Sequence, residues 1–444
     1  MPVRYSFPAI AVLLLASIAN APAQDAALTA AYNASGQDLF KSFAAKPGNI
    51  VFSPYSIGTA MAMVLSGARG ETEKQMVSVL RQTLPRPAME SANEQVLKTL
   101  NGYDKSEVPP SCPEGMKLDG RSCKAPVNAS SGCRYPARIE GTECVALAIT
   151  QSSAKLAIAN ALMLTKSRFA LDRNYVELLK TKYQAEIFSN AGLSDVNGWA
   201  KRKTEGKIDK ILDQLDPSTV AVLLNAVYFK SSWAAVFAKS QTEARPFNVT
   251  ASTQVQVPTM HRTGSYPVAT LPGYRAIQLH YAVRQLSLIV VLPDKVDGVN
   301  EIAGKLGGSE FSAMVAALRG APTKRVALAL PRFKAEFRAD LVSPFKQAGM
   351  QLAFSDGADF SGMTGQPPAK GGLKIDQIVH RAVIEVDEQG AEAAAVTAIT
   401  MMPTSAAPRE QPPEPFRVDR PFLFYLVDEA TGAILFQGRI ADPR

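Results

Sequence analysis

Glu388-Gln389-Gly390-Ala391-Glu392-Ala393-Ala394-Ala395-Val396-Thr397-Ala398-Ile399-Thr400-Met401-Met402-Pro403-Thr404 reads in two ways, and the choice decides the fold. Its small residues suit an exposed, cleavable loop and equally a strand buried in a sheet. Ala391, Ala393, Ala395, Thr397 and Ile399 form a period-two set that can face a core, while Glu392 and Ala394 face water. A segment solvated in one state and paired as a strand in another is a bistable element, and strand addition turns backbone hydrogen bonds into work. Propensity alone offers a competing reading, an alanine-rich helix.

Moving outward, apolar runs with β-branched or aromatic content predict strands within 157–165, 220–229, 276–292, 325–337, 373–386 and 422–436. Helical spacing covers 49–81 and 175–212, and the first of these carries Ser53-Pro54-Tyr55-Ser56, a cap residue followed by proline. Early helices, later strands and no regular βαβ rhythm predict an α+β domain with large antiparallel or mixed sheets. Length alone is compatible with about three domains or with one large domain carrying insertions.

With 46% hydrophobic and 20% charged residues the chain is globular in composition. Arg4, the apolar run 10–18 and Ala21-Pro22-Ala23 follow the order of a secretory signal peptide, with cleavage expected after Ala23 and the remaining 24–444 exported in soluble form. The net charge of +8 raises a polyanion partner, but the cations are dispersed. Their tightest group, Lys201-Arg202-Lys203 with Lys207 and Lys210, reads as a solvated helix face, so neither nucleic acid nor membrane is expected as a partner. Sequons occur at Asn33, Asn128 and Asn248.

Cys112, Cys123, Cys133 and Cys144 sit in a Pro- and Gly-rich insertion, 103–146, whose halves repeat. Leu118-Asp119-Gly120 precedes Cys123 as Ile139-Glu140-Gly141 precedes Cys144, which predicts two hairpins with glycine turns. Of the three pairings four cysteines allow, this repeat favours Cys112–Cys123 and Cys133–Cys144. Zinc is the weaker reading, because no Cys-x-x-Cys pair or nearby histidine accompanies them and export favours oxidation. No metal or cofactor is expected.

Catalytic constellations are missing from the sequence. His261, His280 and His380 are the only histidines, and no Gly-x-Ser-x-Gly, His-Glu-x-x-His or P-loop pattern occurs. His380 lies in an apolar run, where a satisfied core histidine is the ordinary outcome.

Four ordered stretches carry a family resemblance: Asn49-Ile50-Val51-Phe52-Ser53-Pro54-Tyr55-Ser56-Ile57; Asn225-Ala226-Val227-Tyr228-Phe229-Lys230-Ser231-Ser232-Trp233; Val379-His380-Arg381-Ala382 with the hinge from Glu385 to Ala394; and Phe416-Arg417-Val418-Asp419-Arg420-Pro421-Phe422-Leu423-Phe424. Together they resemble the serpins over nearly the whole chain, in a secreted, bacterial-type form with a cysteine-containing insertion. The resemblance implies a fold of three sheets and about nine helices, with a reactive-centre loop within 388–416 held outside the largest sheet. It implies a monomeric suicide inhibitor, not an enzyme, whose partner is a serine or cysteine protease. Ser53, Ser56, Asn225 and His380 match the polar cluster beneath the sheet, and Trp233, Arg332 and Glu388 match the start of insertion. Glu388, Gly390, Ala391, Glu392, Ala393, Ala394 and Ala395 match the hinge, where small inward residues fit an inhibitor. Bulky, charged or Pro residues there would instead mark a non-inhibitory, binding or chaperone-like relative. Counting from Glu388 sets the reactive bond at Thr404-Ser405, with Met402 beside it, implying an elastase-like or chymotrypsin-like target; counting back from Pro421 points to Arg409.

Overall fold

The computed structural model of the chain describes residues 21–103, 117–119, 122–126, 138–140, 143–147, 154–165, 170–217, 219–367, 372–391 and 412–444. The N-terminal half runs α1 (Ala21–Ala44), β1 (Ile50–Phe52), α2 (Pro54–Gly67), α3 (Gly70–Val79) and α4 (Arg86–Asn101). It continues through β2 (Lys117–Asp119), β3 (Ser122–Pro126), β4 (Arg138–Glu140), β5 (Glu143–Leu147), β6 (Ala154–Leu164), α5 (Arg173–Tyr183), β7 (Glu186–Ser189), α6 (Leu193–Lys203) and β8 (Ala221–Ser232). Next come β9 (Thr242–Asn248), β10 (Gln254–Leu271), β11 (Tyr274–His280), β12 (Leu286–Pro293), α7 (Val299–Lys305), α8 (Ser309–Gly320), β13 (Thr323–Pro331) and β14 (Phe333–Asp340). The chain ends with α9 (Val342–Gln347), α10 (Ser361–Thr364), β15 (Gln377–Val386), β16 (Gly390–Ala391), β17 (Glu414–Arg417), β18 (Phe422–Asp428) and β19 (Ile434–Ile440).

This is the expected α+β architecture, with ten α-helices among the described residues against about nine anticipated. One sheet has the order β14-β15-β8-β6-β7, with β16 against the end of β8. A second follows β1-β19-β18-β12-β11-β10-β13-β17, and β9 joins it through β10. The third, β2-β3-β5-β4, belongs to the cysteine insertion. Its strands pair antiparallel as two repeated units, with Asp119 opposite Ser122 and Glu140 opposite Glu143.

Ser53 starts α2 as its sequence requires: its side chain accepts from the Ser56 amide at 3.0 Å, and Pro54 fills the first turn. Every residue of α2 is buried, its mostly apolar side chains interrupted by Ser56, Thr59 and Ser66, which are hydrogen-bonded. Helical spacing over 49–81 nevertheless resolves into β1, α2 and α3, because the chain is extended at Ala68 and Arg69 and then takes φ +56° at Gly70. Likewise 175–212 divides into α5, β7 and α6. Left-handed Gln184 ends α5, and the segment after Lys203 is not helical. The expected basic helix face is therefore corrected: Lys207 and Lys210 lie beyond α6.

Two cores flank the β14-β15-β8-β6-β7 sheet. The larger packs α2 and its neighbours against one face, while Val196, Trp199, Ile208 and Ile211 cover Val222, Leu224, Val379 and Val383 on the other. Both layers cross the junction of β8 and β15, so that junction is where the sheet can be opened only at the expense of packing.

Candidate functional site: a closed strand seam and its hinge

β8 and β15 pair in parallel from Gln377 opposite Val222 to Val383 opposite Tyr228, with β6 antiparallel on the other side of β8. This register lines up Asn160, Asn225 and His380 on three adjacent strands. All three are buried, above the equally buried Ser53 and Ser56. The two hydrogens of Asn225 Nδ2 serve three acceptors, Asn160 Oδ1 at 2.5 Å and the Ser56 Oγ and carbonyl at 2.6 and 3.0 Å, so one of them is shared. His380 Nε2 accepts the Ser53 amide at 3.3 Å, which leaves Nδ1 to carry the proton donated to Asn225 Oδ1. Burial pushes the imidazole pKa down to about 3, so the ring is neutral at physiological pH. The four expected residues thus meet in one network that ties the seam to the start of α2. Catalysis is not what the geometry offers: both ring nitrogens are committed and the ring is sealed from solvent.

Above this network the seam is already parted. Asp387 and Gly390 form an antiparallel bridge around Glu388-Gln389, and the chain turns back so that Gly390 and Ala391 pair with Ser232 and Ser231 of β8. The Asp387 carboxylate accepts from the amides of Gln389 (2.8 Å) and Gly390 (3.2 Å), fixing the turn. Gly390 has φ +126°, and an added Cβ would lie 2.1 Å from the Ser231 carbonyl oxygen. No other residue fits there without moving the strand.

Trp233 closes the top of the seam. Its indole donates to the Asp387 carbonyl at 2.9 Å, its amide donates to the Gln389 carbonyl at 2.9 Å, and its ring stacks on Tyr281 at 4.4 Å. Glu388 is buried, accepts from the Thr242 hydroxyl at 2.7 Å and lies 3.7 Å from the half-exposed Arg332. Asp387, Glu388, Arg332, Thr242, Lys239 and Pro258 line a cleft of about 400 Å³ beside the turn. Trp233, Arg332 and Glu388 thus lie around one turn. Asn160, Thr242 and Tyr281 are the participants that sequence reasoning missed, and Asp387, inside the matched hinge stretch, had been given no role of its own; a lone asparagine in the apolar run 157–165 was the available signal for the first.

Several expectations fall outside the described residues: residues 1–20 of the expected signal peptide, hinge positions Glu392, Ala393, Ala394 and Ala395, and reactive-bond candidates Met402, Thr404, Ser405 and Arg409. The same holds for Cys112 and Cys133 and for the side chains of Cys123 and Cys144. Around the basic group, Lys201 meets Asp209 at 3.0 Å, Lys203 meets Glu186 at 2.7 Å and Lys207 meets Glu385 at 3.3 Å, so acids interleave with the cations. No helix among the described residues is long and apolar enough to cross a membrane.

The family model described as "Serpin (serine protease inhibitor)" matches residues 30–443. Iripin-2 of Ixodes ricinus is 30% identical over 428 residues, 94% of this chain and 94% of its own length. Human Serpin B3 is 31% identical over 418 residues, 91% of this chain and 97% of its own length. The native-state crystal structure of the thermophilic serpin Tengpin is similar with a TM-score of 0.73 and 26% identity, covering 94% of this chain and 93% of that one. A closed seam with a doubled-back hinge, in a chain matched along almost its full length, leads to one assignment: this protein belongs to the serpin family.

Proposed function

We propose that this serpin inhibits serine proteases by trapping them as acyl-enzymes on its reactive loop. The observation that carries the reading is β16: two residues of the hinge already pair with Ser231 and Ser232 at the mouth of a seam that is otherwise closed. In the proposed reaction the protease serine oxygen bonds to the Thr404 carbonyl carbon, and the Thr404-Ser405 peptide bond breaks as Ser405 takes up a proton at its new amine. The freed segment then continues the pairing begun by β16. In that register Thr397 comes opposite Asn225 and Met401 opposite Ala221, so β8 is filled just before Thr404. About a dozen new pairings at roughly 1 kcal/mol net each supply on the order of 10 kcal/mol. Pulling one donor of the protease's oxyanion hole out of place costs it roughly a hundredfold or more in rate, so the ester persists.

The same register supports Thr404 over Arg409. Cleavage after Arg409 would leave about eight residues of slack, roughly 26 Å when extended, which slackens the pull on the protease. Met401, Met402 and Thr404 ahead of the bond suit an elastase-like or chymotrypsin-like target. The leader 1–23 and the four cysteines support action outside the cytoplasm, and a mass increase on reduction and alkylation of secreted protein would test both.

Mixing the protein with pancreatic elastase, chymotrypsin and trypsin should give an SDS-resistant complex with at least one, and the released peptide should begin at Ser405. Clean cleavage without a complex in every mixture overturns the proposal.

A further inference from the structure

A second cleft, of about 300 Å³, lies where α1, α3 and α9 meet, and it shares no lining residue with the cleft beside Glu388. Leu39 and Phe345, both buried, and Val79 and Pro344, both half-buried, give it apolar walls. Its lip is charged. Arg81 donates through Nε and Nη2 to Asp38 Oδ2 at 3.1 and 2.9 Å, and Lys41 stands 3.9 Å from the other carboxylate oxygen. Two cations against one carboxylate leave the lip positive. Ser35 and Ser42 spend their hydroxyl hydrogens on the carbonyls of Tyr32 and Leu39. Arg81 Nη1 and the Ser78 hydroxyl, by contrast, have no partner among the described residues, so two donors at this cleft stand ready for an acceptor.

Arg81 occupies a position where stability alone favours glycine. It follows α3 with φ +55°, and the amides of Arg81 and Gln82 reach back to the carbonyls of Ser78 and Val77, the helix-ending turn whose left-handed residue is ordinarily glycine. The ion pair with Asp38 offsets little of this strain, because the two side chains are 60% and 41% exposed. The backbone thus holds a guanidinium at the cleft without benefit to the fold, which is the pattern of a binding group.

We propose that this cleft binds a small amphipathic carboxylate, its apolar tail against Leu39, Val79, Pro344 and Phe345 and its anionic head on Arg81 Nη1 and the Ser78 hydroxyl. The charge-assisted contact fixes the orientation of the ligand, and the apolar walls supply the buried area. The volume is at the small end of ligand sites and admits about ten non-hydrogen atoms at roughly 30 Å³ each.

Octanoate matches that size and is the probe. Calorimetric titration of the full-length protein should give saturable, one-site binding with a Kd of about 1 mM or tighter. Octanol, which keeps the tail and lacks the charge, should bind about tenfold more weakly. Octanoate should lose a similar factor on Arg81→Gly, a variant that should melt no lower than the parent because glycine adopts the left-handed angle freely. Ala348→Trp, which sets a large side chain at the exposed edge of the cleft, should abolish binding. Absence of saturable binding to the parent, equal affinity for octanol, or undiminished affinity in Arg81→Gly overturns the proposal. Unaltered binding by a folded Ala348→Trp puts the octanoate elsewhere and overturns it as well; if that variant fails to fold, octanol and Arg81→Gly still decide.

Discussion

His380 and Asn225 face each other across the parallel β8–β15 seam, and a hydrogen bond between His380 Nδ1 and Asn225 Oδ1 joins the strands that a new strand would have to separate. Because His380 Nε2 is occupied as an acceptor from Ser53, a second proton on the ring breaks this arrangement.

Acid sensitivity follows from that constraint. The folded pKa of His380 is lowered to about 3 by burial, whereas an unfolded histidine titrates near 6.5. On acidification the unfolded chain binds the proton first. The contribution of this group is therefore fully present above about pH 6.5 and is lost at roughly 1.4 kcal/mol per pH unit as pH falls toward 3. Denaturant melts between pH 7.5 and 4.5 should show one proton more taken up on unfolding by the parent than by His380→Gln. Identical pH slopes for the two would contradict the buried neutral ring.

At the top of the seam, two partners of Glu388 differ in value. Its buried hydrogen bond from Thr242 is charge-assisted and worth about 2 kcal/mol. Its ion pair with the half-exposed Arg332 contributes about 0 to 1 kcal/mol. Glu388→Ala should thus cost more stability than Arg332→Ala in chemical denaturation; the reverse order would show that the pair with Arg332 dominates.

Gly390→Ala should dislodge β16. The new methyl cannot occupy the space taken by the Ser231 carbonyl, and the backbone angle of +126° is strained for any other residue. Faster hydrogen exchange is expected at the Ser231 and Trp233 amides, with altered tryptophan fluorescence. Unchanged exchange would mean the hinge is held by something other than its pairing with β8.

Ala391→Arg tests the direction of insertion. Ala391 pairs with Ser231, which is buried and shares a face with Asn225, so a charge there is driven toward the core. The variant should be cleaved as a substrate, with several-fold more inhibitor consumed per protease trapped. Unaltered complex yield on an SDS gel would contradict the register.

Nicking the loop should stabilise the protein. A gain on the order of 10 kcal/mol in a chain of this size raises the melting temperature by roughly 10 °C. A nicked form that melts at or below the intact one would rule out insertion.

Much of this was legible in the sequence where a residue's environment is local. Ser53 and Pro54 announce α2 through capping chemistry, and the strand runs at 220–229 and 373–386 correspond to β8 and β15. The polar cluster was legible only through family resemblance, because nothing in the spacing of Ser53, Asn225 and His380 reveals that three distant segments meet. Asn160 went unread for the same reason: its partner is fixed by strand register, a tertiary property. β10 was missed because Pro258, Gly264 and Pro267 interrupt its apolar pattern, and it is held as a strand by β9, β11 and β13 instead. The apparent long helices over 49–81 and 175–212 failed where single backbone positions, Gly70 and Gln184, take left-handed angles that periodicity does not register.

The contact between the Tyr103 carbonyl and the Ala154 amide has a practical consequence. A segment that leaves and re-enters its host through touching backbone atoms can lengthen at little extra entropic cost, provided that what is spliced between them brings its own ends together. That point is a natural socket for a fluorescent or affinity module, which would ride on β6 beside the hinge and report movement of that strand.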